Sequence, residues 1–148
     1  MTTLRLITPR TNIAIIEDDL LTRDCVTSLL AQERDFKVVL SSPVLNAAEL
    51  EGAAPDVILV DWQISDDSRT RLASALVAAS RSAKLVATGI TSSHEHLADL
   101  LRAGVAGFVS ANATCSELIS TIRLVAAGTN VMPPSLLATL ARNVAKER

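Results

Sequence analysis

Acidic residues gather where apolar runs stop. Glu17, Asp18 and Asp19 follow the run 13–16, and Asp61 follows 57–60, with Asp66 and Asp67 shortly after. Thr88 ends another apolar run, and Ser110, Ala111 and Asn112 end a further one. Carboxylates brought into one crevice repel each other and attract a cation. Hard oxygen ligands, with water in the remaining positions, suit Mg²⁺. An aspartate beside such a cation is placed to accept a phosphoryl group, because the metal offsets charge on both partners. The Thr88 hydroxyl could then donate to a phosphoryl oxygen. Asp19 reads instead as a helix cap. One acidic strand end would mean little; three chemically matched ends point to a site.

Whether these ends meet depends on the elements that carry them. The runs at 12–16, 36–41, 57–60, 84–88 and 106–110 are short and rich in Ile and Val. Four of them are almost continuously apolar, as strands buried on both faces are. Between them lie segments of helical spacing. The segment 20–33 places Leu21, Cys25, Leu29 and Leu30 near one stripe, with Asp19 as cap. Asn46 and Glu49 have capping-box spacing and open a short helix. Residues 68–80 make a third. The segment 92–104 makes a fourth, with Ser92 and Glu95 as its capping pair and Leu97, Leu100 and Leu101 inward. Thr114 and Glu117 open a fifth, with the stripe Leu118, Ile119, Ile122 and Val125 and a stop at Gly128.

Strand and helix therefore alternate five times. That order implies right-handed crossovers and an α/β fold: a doubly wound, five-stranded parallel sheet covered on both faces. Functional residues of such sheets gather beyond the carboxyl ends of the strands. Beyond Gly128, Pro133 and Pro134 interrupt the chain, and a short helix follows. This tail carries Arg142, Lys146 and Arg148 against Glu147 and reads as a cap helix, a linker or the stub of something longer.

Composition narrows the function. The chain has 148 residues, 49% of them hydrophobic, which suits one domain with its own core. Phe36, Trp62 and Phe108 are its whole aromatic complement, too few for a base-stacking surface. A net charge of −2 provides no field for DNA or anionic lipid. No run approaches the ~18 apolar residues of a membrane span, and the N-terminus lacks a signal-peptide pattern, so a cytoplasmic location is expected. Cys25 and Cys115 fall in helical patterns and read as buried thiols. Trp62 reads as packing, and His94 and His96 as solvated. The stretch after the first strand has acids where a dinucleotide fingerprint needs glycines, and no nucleophile elbow or Cys/His pair is present.

The strand-end motifs, taken in order, resemble the receiver domain of two-component response regulators over residues 12–128. "IAIIEDDLLTRD" is similar to the family's first strand and acidic pair, "PDVILVD" to its third strand, "LVATG" to its fourth and "RAGVAGFVS" to the segment into its fifth. The run "ELISTIRLVAAGTNVMPP" resembles the end of the receiver in the NarL/FixJ-type subfamily. The resemblance implies a flavodoxin-like (βα)5 receiver fold, with an extension at 1–11 and a linker or C-terminal helix at 129–148. It implies Asp61 as phospho-acceptor, Thr88 as switch hydroxyl and Phe108 in place of the aromatic switch residue. It implies a Mg²⁺ site from Glu17, Asp18, Asp61 and the backbone carbonyl of Gln63.

Two departures stand out. Ala111 occupies the position of the family's strand-five lysine, and Lys84 lies at the opposite end of its strand. Ser65 replaces a proline in the loop after the acceptor, and that loop has no glycine and gains Asp66 and Asp67. A phosphoryl group adds about −1.5 to −2 charge, part of which then lacks a fixed counter-ion. The expectation is a non-enzymatic regulatory domain of a bacterial transcriptional regulator, phosphorylated weakly or not at all. Its expected partners are a second copy, a histidine kinase or other regulatory protein, and DNA only through a C-terminal domain outside this chain. The dimer would use either the helices at 20–33 and 115–127 or the face formed by 97–127. The alternative is a stand-alone module that binds a protein or a small ligand.

Overall fold

The computed structural model describes residues 9–62 and 82–147. The expected helix at 68–80, Gln63, the loop Ser65 to Asp67 and most of the N-terminal extension lie outside them. The elements run β1 (Thr11–Ile16), α1 (Leu20–Ala31), β2 (Phe36–Ser42), α2 (Ala47–Ala53), β3 (Val57–Asp61), β4 (Lys84–Ile90), α3 (Leu97–Arg102), β5 (Gly107–Ser110), α4 (Cys115–Ala126) and α5 (Pro134–Ala145). The sheet is five-stranded in the order β2-β1-β3-β4-β5, and every pairing is parallel. The order reverses between β1 and β3, which opens a crevice at their carboxyl ends.

Alternate residues of the central strands feed two cores, as the period of two requires. Ile13, Ile15, Val57, Leu59, Val86 and Val109 pack with Leu30 of α1 and with Ile122 and Val125 of α4. Ala14, Ile16, Ile58, Val60, Leu85 and Phe108 pack on the other face with Leu50 of α2, Leu97 and Leu100 of α3, and Leu136 of α5. The sheet is thus doubly wound, and its continuous apolar runs reflect burial on both sides.

The caps follow the local sequence. Asp19 Oδ2 accepts from the Thr22 N–H at 2.9 Å, Asn46 Oδ1 from Glu49 at 3.1 Å, and Thr114 Oγ1 from Glu117 at 3.1 Å. Gly128, at φ 98°, stops α4. Other expectations fail. Helix α3 starts at Leu97 with His96 as a cap that makes no side-chain bond, so Ser92 and Glu95 do not form a capping box. Leu101 is exposed while Ala98 is buried with Leu97 and Leu100, so the inward face passes through Ala98 and not Leu101. Leu21, Cys25 and Cys115 are exposed; of the expected stripe on α1, Leu30 is buried and Leu29 half-buried, and Val26 joins them.

The tail is part of the body. Val131 exchanges backbone hydrogen bonds with the β5 edge, donating to Ala106 O at 2.9 Å and accepting from Phe108 N at 3.0 Å. Pro134 then opens α5 at the position where proline costs least. The helix lies on α3, held by polar contacts. Asn143 Oδ1 accepts from Ala98 N at 3.2 Å and its Nδ2 donates to His94 O at 3.2 Å. Thr139 Oγ1 and an Arg142 Nη both donate to Ser92 O, at 2.9 and 2.6 Å. Asn143 thereby supplies, from a distant helix, the cap that α3 lacks. Its partner His94 is half-buried, which lowers the pKa of its imidazole, with His96 adding repulsion.

Candidate functional site

Parallel pairing brings the strand ends together by register. Ile16 pairs with Val60, so Glu17 leaves β1 beside Asp61 at the end of β3. Asp61 pairs in turn with Thr88 of β4. Ligand oxygens of Glu17, Asp18 and Asp61 lie within 4.8 Å of one another. Glu17 and Asp61 are buried, at 6% and 7% exposure, while Asp18 is exposed. Asp19 turns away from this cluster to cap α1.

Two buried carboxyls at this distance cannot both stay charged cheaply. Burial pushes the Glu17 carboxyl up to about 8, and its hydrogen bond and charge repulsion with Asp61 add to the rise. The backbone N–H of Asp19, which donates to Glu17 Oε1 at 3.0 Å, works against it. The Arg23 guanidinium donates to the Glu17 carbonyl at 2.8 Å, a contact that the sequence does not signal. The donor set is all hard oxygen, and a divalent cation would relieve the repulsion that the buried pair creates. The residues therefore fit Mg²⁺. When bound, the ion neutralises the crevice and the charge of an incoming phosphoryl group.

Thr88 is half-buried, and its Oγ1 lies 3.5 Å from Val60 O, a weak contact that leaves the hydroxyl available. The β4–β5 register shifts between Ala87 and Ile90, and Gly89 there has φ 70°. This irregularity directly after Thr88 re-aims the end of β4, as bulges next to functional sites do. The glycine is visible in the sequence, but the shift is not. Ala111 stands at the end of β5, its N–H on Ile90 O at 2.8 Å. Lys84 pairs with Val57 at the other end of the sheet, so it is remote from the crevice. Phe108 is fully buried in the core shared with Leu136. Trp62 is buried as packing, and its indole N–H has no acceptor among the described residues.

No helix among the described residues is long and apolar enough to cross a membrane. Residues 13–123 match the response regulator receiver domain family. The response regulator GacA of Pseudomonas viridiflava is 28% identical over 134 residues, covering 87% of this chain and 61% of the relative. The transcriptional regulatory protein UhpA of Salmonella typhimurium is 32% identical over 134 residues, covering 87% and 65%. The chain thus spans less than two thirds of the length of these relatives. In fold it is similar to a LuxR-family two-component response regulator from Aurantimonas sp. (TM-score 0.73, 17% identity, 92% of this chain and 99% of that one). It is equally similar to the isolated receiver domain of RcsB from Salmonella enterica serovar Typhimurium, solved with the phosphomimetic BeF3⁻ (TM-score 0.73, 15% identity, 88% and 99%). The acidic cluster occupies the position of the receiver Mg²⁺ site, and the chain belongs to the response regulator receiver domain family, a signalling domain rather than a catalytic one.

Proposed function

We propose that this chain is the regulatory receiver of a bacterial two-component-type transcriptional regulator of the NarL/FixJ type, cytoplasmic and homodimeric. Its output would pass to a C-terminal DNA-binding domain, and its input would depend little on phosphorylation. Asp61 is the candidate acceptor and Thr88 the hydroxyl that would meet a phosphoryl oxygen. Glu17, Asp18, Asp61 and the Gln63 carbonyl are the candidate metal ligands. A histidine kinase or another regulatory protein is the candidate input. The observation that carries the atypical reading is Ala111: the β5 end offers a methyl group to a crevice that already holds three carboxylates. A phosphoryl group on Asp61 would add about −1.5 to −2 charge, with no ammonium among the described residues lining the crevice to receive it. The link from phosphorylation to a shape change is weakened accordingly.

The test is intact mass after incubation with acetyl phosphate and Mg²⁺, for the wild type, Asp61→Asn and Ala111→Lys. The expected result is little or no added phosphoryl group in the wild type and a gain in Ala111→Lys. Stoichiometric labelling of the wild type, lost in Asp61→Asn, would restore an ordinary receiver. If Ala111→Lys also stays unlabelled, the altered loop at Ser65 to Asp67 is the cause.

A further inference from the structure

A cavity of about 370 Å³ lies where the loop between β4 and α3 meets α5, and it shares no lining residue with the acidic crevice. Ser92, Ser93, His94 and Glu95 line it from the loop, and Arg142, Asn143 and Lys146 from the helix. Its frame is fixed from within. One Arg142 Nη donates to Ser92 O at 2.6 Å, and Asn143 joins His94 O to Ala98 N, each at 3.2 Å. What the lining has left over is mostly donors. The Arg142 Nε and second Nη, and the Lys146 ammonium, meet no acceptor among the described residues. Arg142 and Lys146 are one helical turn apart and share a face. His94 Nδ1 accepts the His96 N–H at 3.1 Å, so the neutral ring carries its proton on Nε2, a further donor. The two serine hydroxyls add to the set. Glu95 is the one acid among the described residues that line the cavity, and it forms no ion pair among them.

Two cations and several neutral donors around one space attract an oxyanion. Glu95 decides which one. A carboxylate repels an oxyanion that has shed all its protons, but it accepts a hydrogen bond from one that keeps a proton. Sulfate is of the first kind at neutral pH, and inorganic phosphate is of the second. We propose that this cavity binds inorganic phosphate, its oxygens on Arg142 and Lys146 and its hydroxyl on Glu95. The space exceeds the ion, so water completes its shell. The bound ion touches both the β4–α3 loop and α5, and it therefore holds the tail to the loop that follows Thr88. That is an input without phosphoryl transfer, and it stands on these residues whether or not Asp61 accepts a phosphoryl group.

The experiment titrates the isotope-labelled chain with inorganic phosphate, sulfate and methyl phosphate, in EDTA at about pH 8 and constant ionic strength, and follows amide shifts by NMR. All three are dianions there, because a phosphomonoester loses its second proton near about 6, but only inorganic phosphate keeps a hydroxyl. Phosphate is expected to bind at least ~10-fold tighter than the other two, the gap that one hydrogen bond to a charged group supplies. Shifts should centre on Ser92 to Glu95 and on Arg142 to Lys146. Glu95→Gln should close most of the gap by raising the affinity for sulfate. Lys146→Gln removes an exposed charge without a partner, so it should melt like the wild type in phosphate-free buffer and yet bind phosphate ~10-fold more weakly. Equal affinity for the three anions would make the site a general screen of charge and overturn the proposal. Scattered shifts, no saturable binding, or unchanged binding in Lys146→Gln would overturn it too. So would a short DNA duplex that shifts the same residues and displaces phosphate, which would assign the basic face to nucleic acid.

Discussion

The molecule buries polar side chains at the α3–α5 contact and at the strand ends, and treats the two in opposite ways. At the α3–α5 contact, Thr139 and Asn143 are 1% and 8% exposed, and the contacts they make are complementary: a donor meets Ser92 O, an acceptor meets Ala98 N, and a donor meets His94 O. At the strand ends, Glu17 and Asp61 are buried to a similar degree, and the metal-free pair avoids like charge only by keeping the Glu17 proton. The first arrangement lowers the cost of burying polar groups and fixes one docking geometry. The second raises that cost and stores a demand for a cation. Burial alone therefore does not mark function. Burial that shifts the ionisation of a carboxyl beside a second carboxyl in a crevice does.

The largest effect should come from breaking the satisfied region. Asn143→Ala leaves the Ala98 N–H and the His94 carbonyl without their partner in a buried contact. The expected loss is ~1–3 kcal/mol, or roughly 2–10 °C in Tm. Thr139→Val should cost less, ~0.5–1.5 kcal/mol, because Arg142 still donates to the Ser92 carbonyl. Thermal melts of the two variants check the order. If Asn143→Ala melts like the wild type, the tail does not depend on these contacts and the comparison loses one side.

How legible these two regions are in the sequence differs for a physical reason. The strand ends can be read because register and topology are set by local runs: Ile13 to Ile16 and Val57 to Val60 can hardly be anything but buried strands, and Glu17, Asp61 and Thr88 follow them. The cap residues Asp19, Asn46 and Thr114 are equally local. The α3–α5 contact is long-range, 45 residues from Ala98 to Asn143, and nothing near Ala98 announces it. One signal exists in the tail, where Thr139 and Asn143 interrupt the stripe of Leu136 and Leu140, and a polar residue on an apolar face needs a partner. The cysteines mislead because periodicity fixes the spacing of a stripe but not its direction. On α1 the sheet-facing side passes through Val26 and Leu30, a register that leaves Cys25 outside.

The strained region makes a pH prediction of definite sign. In the folded, metal-free protein Glu17 holds its proton up to about pH 8, whereas in the unfolded chain it releases it near 4.5. Between those values the folded state binds the extra proton, so raising the pH lowers stability. The stability is fully present below about pH 4.5 and lost as pH passes through about 8. Mg²⁺ must displace that proton below pH 8, so its stabilising effect should grow with pH and level off above it. Melts in EDTA and in Mg²⁺ across this range measure both trends. Glu17→Gln should flatten the EDTA series and weaken Mg²⁺ by at least the ~10–100-fold typical of lesser changes around a metal. A flat wild-type series would mean that the pair is not strained and that the contrast with the tail is false.

The smallest effect should come from the strongest-looking contact of the tail. Arg102 meets Glu147 through two hydrogen bonds of 2.6 and 2.5 Å, with Asp99 at 3.5 Å, and the pairing raises the arginine pKa and lowers that of Glu147. All three groups are well exposed, however, so water and salt screen the pair and its two long side chains lose freedom to make it. Arg102→Ala should therefore shift Tm by ~1–2 °C at most at low salt, and not at all in high salt. A shift as large as that of Asn143→Ala would show that α5 is held by surface charge. The tail would then be docked reversibly according to ionic strength, instead of being fixed by the buried Asn143 and Thr139 contacts.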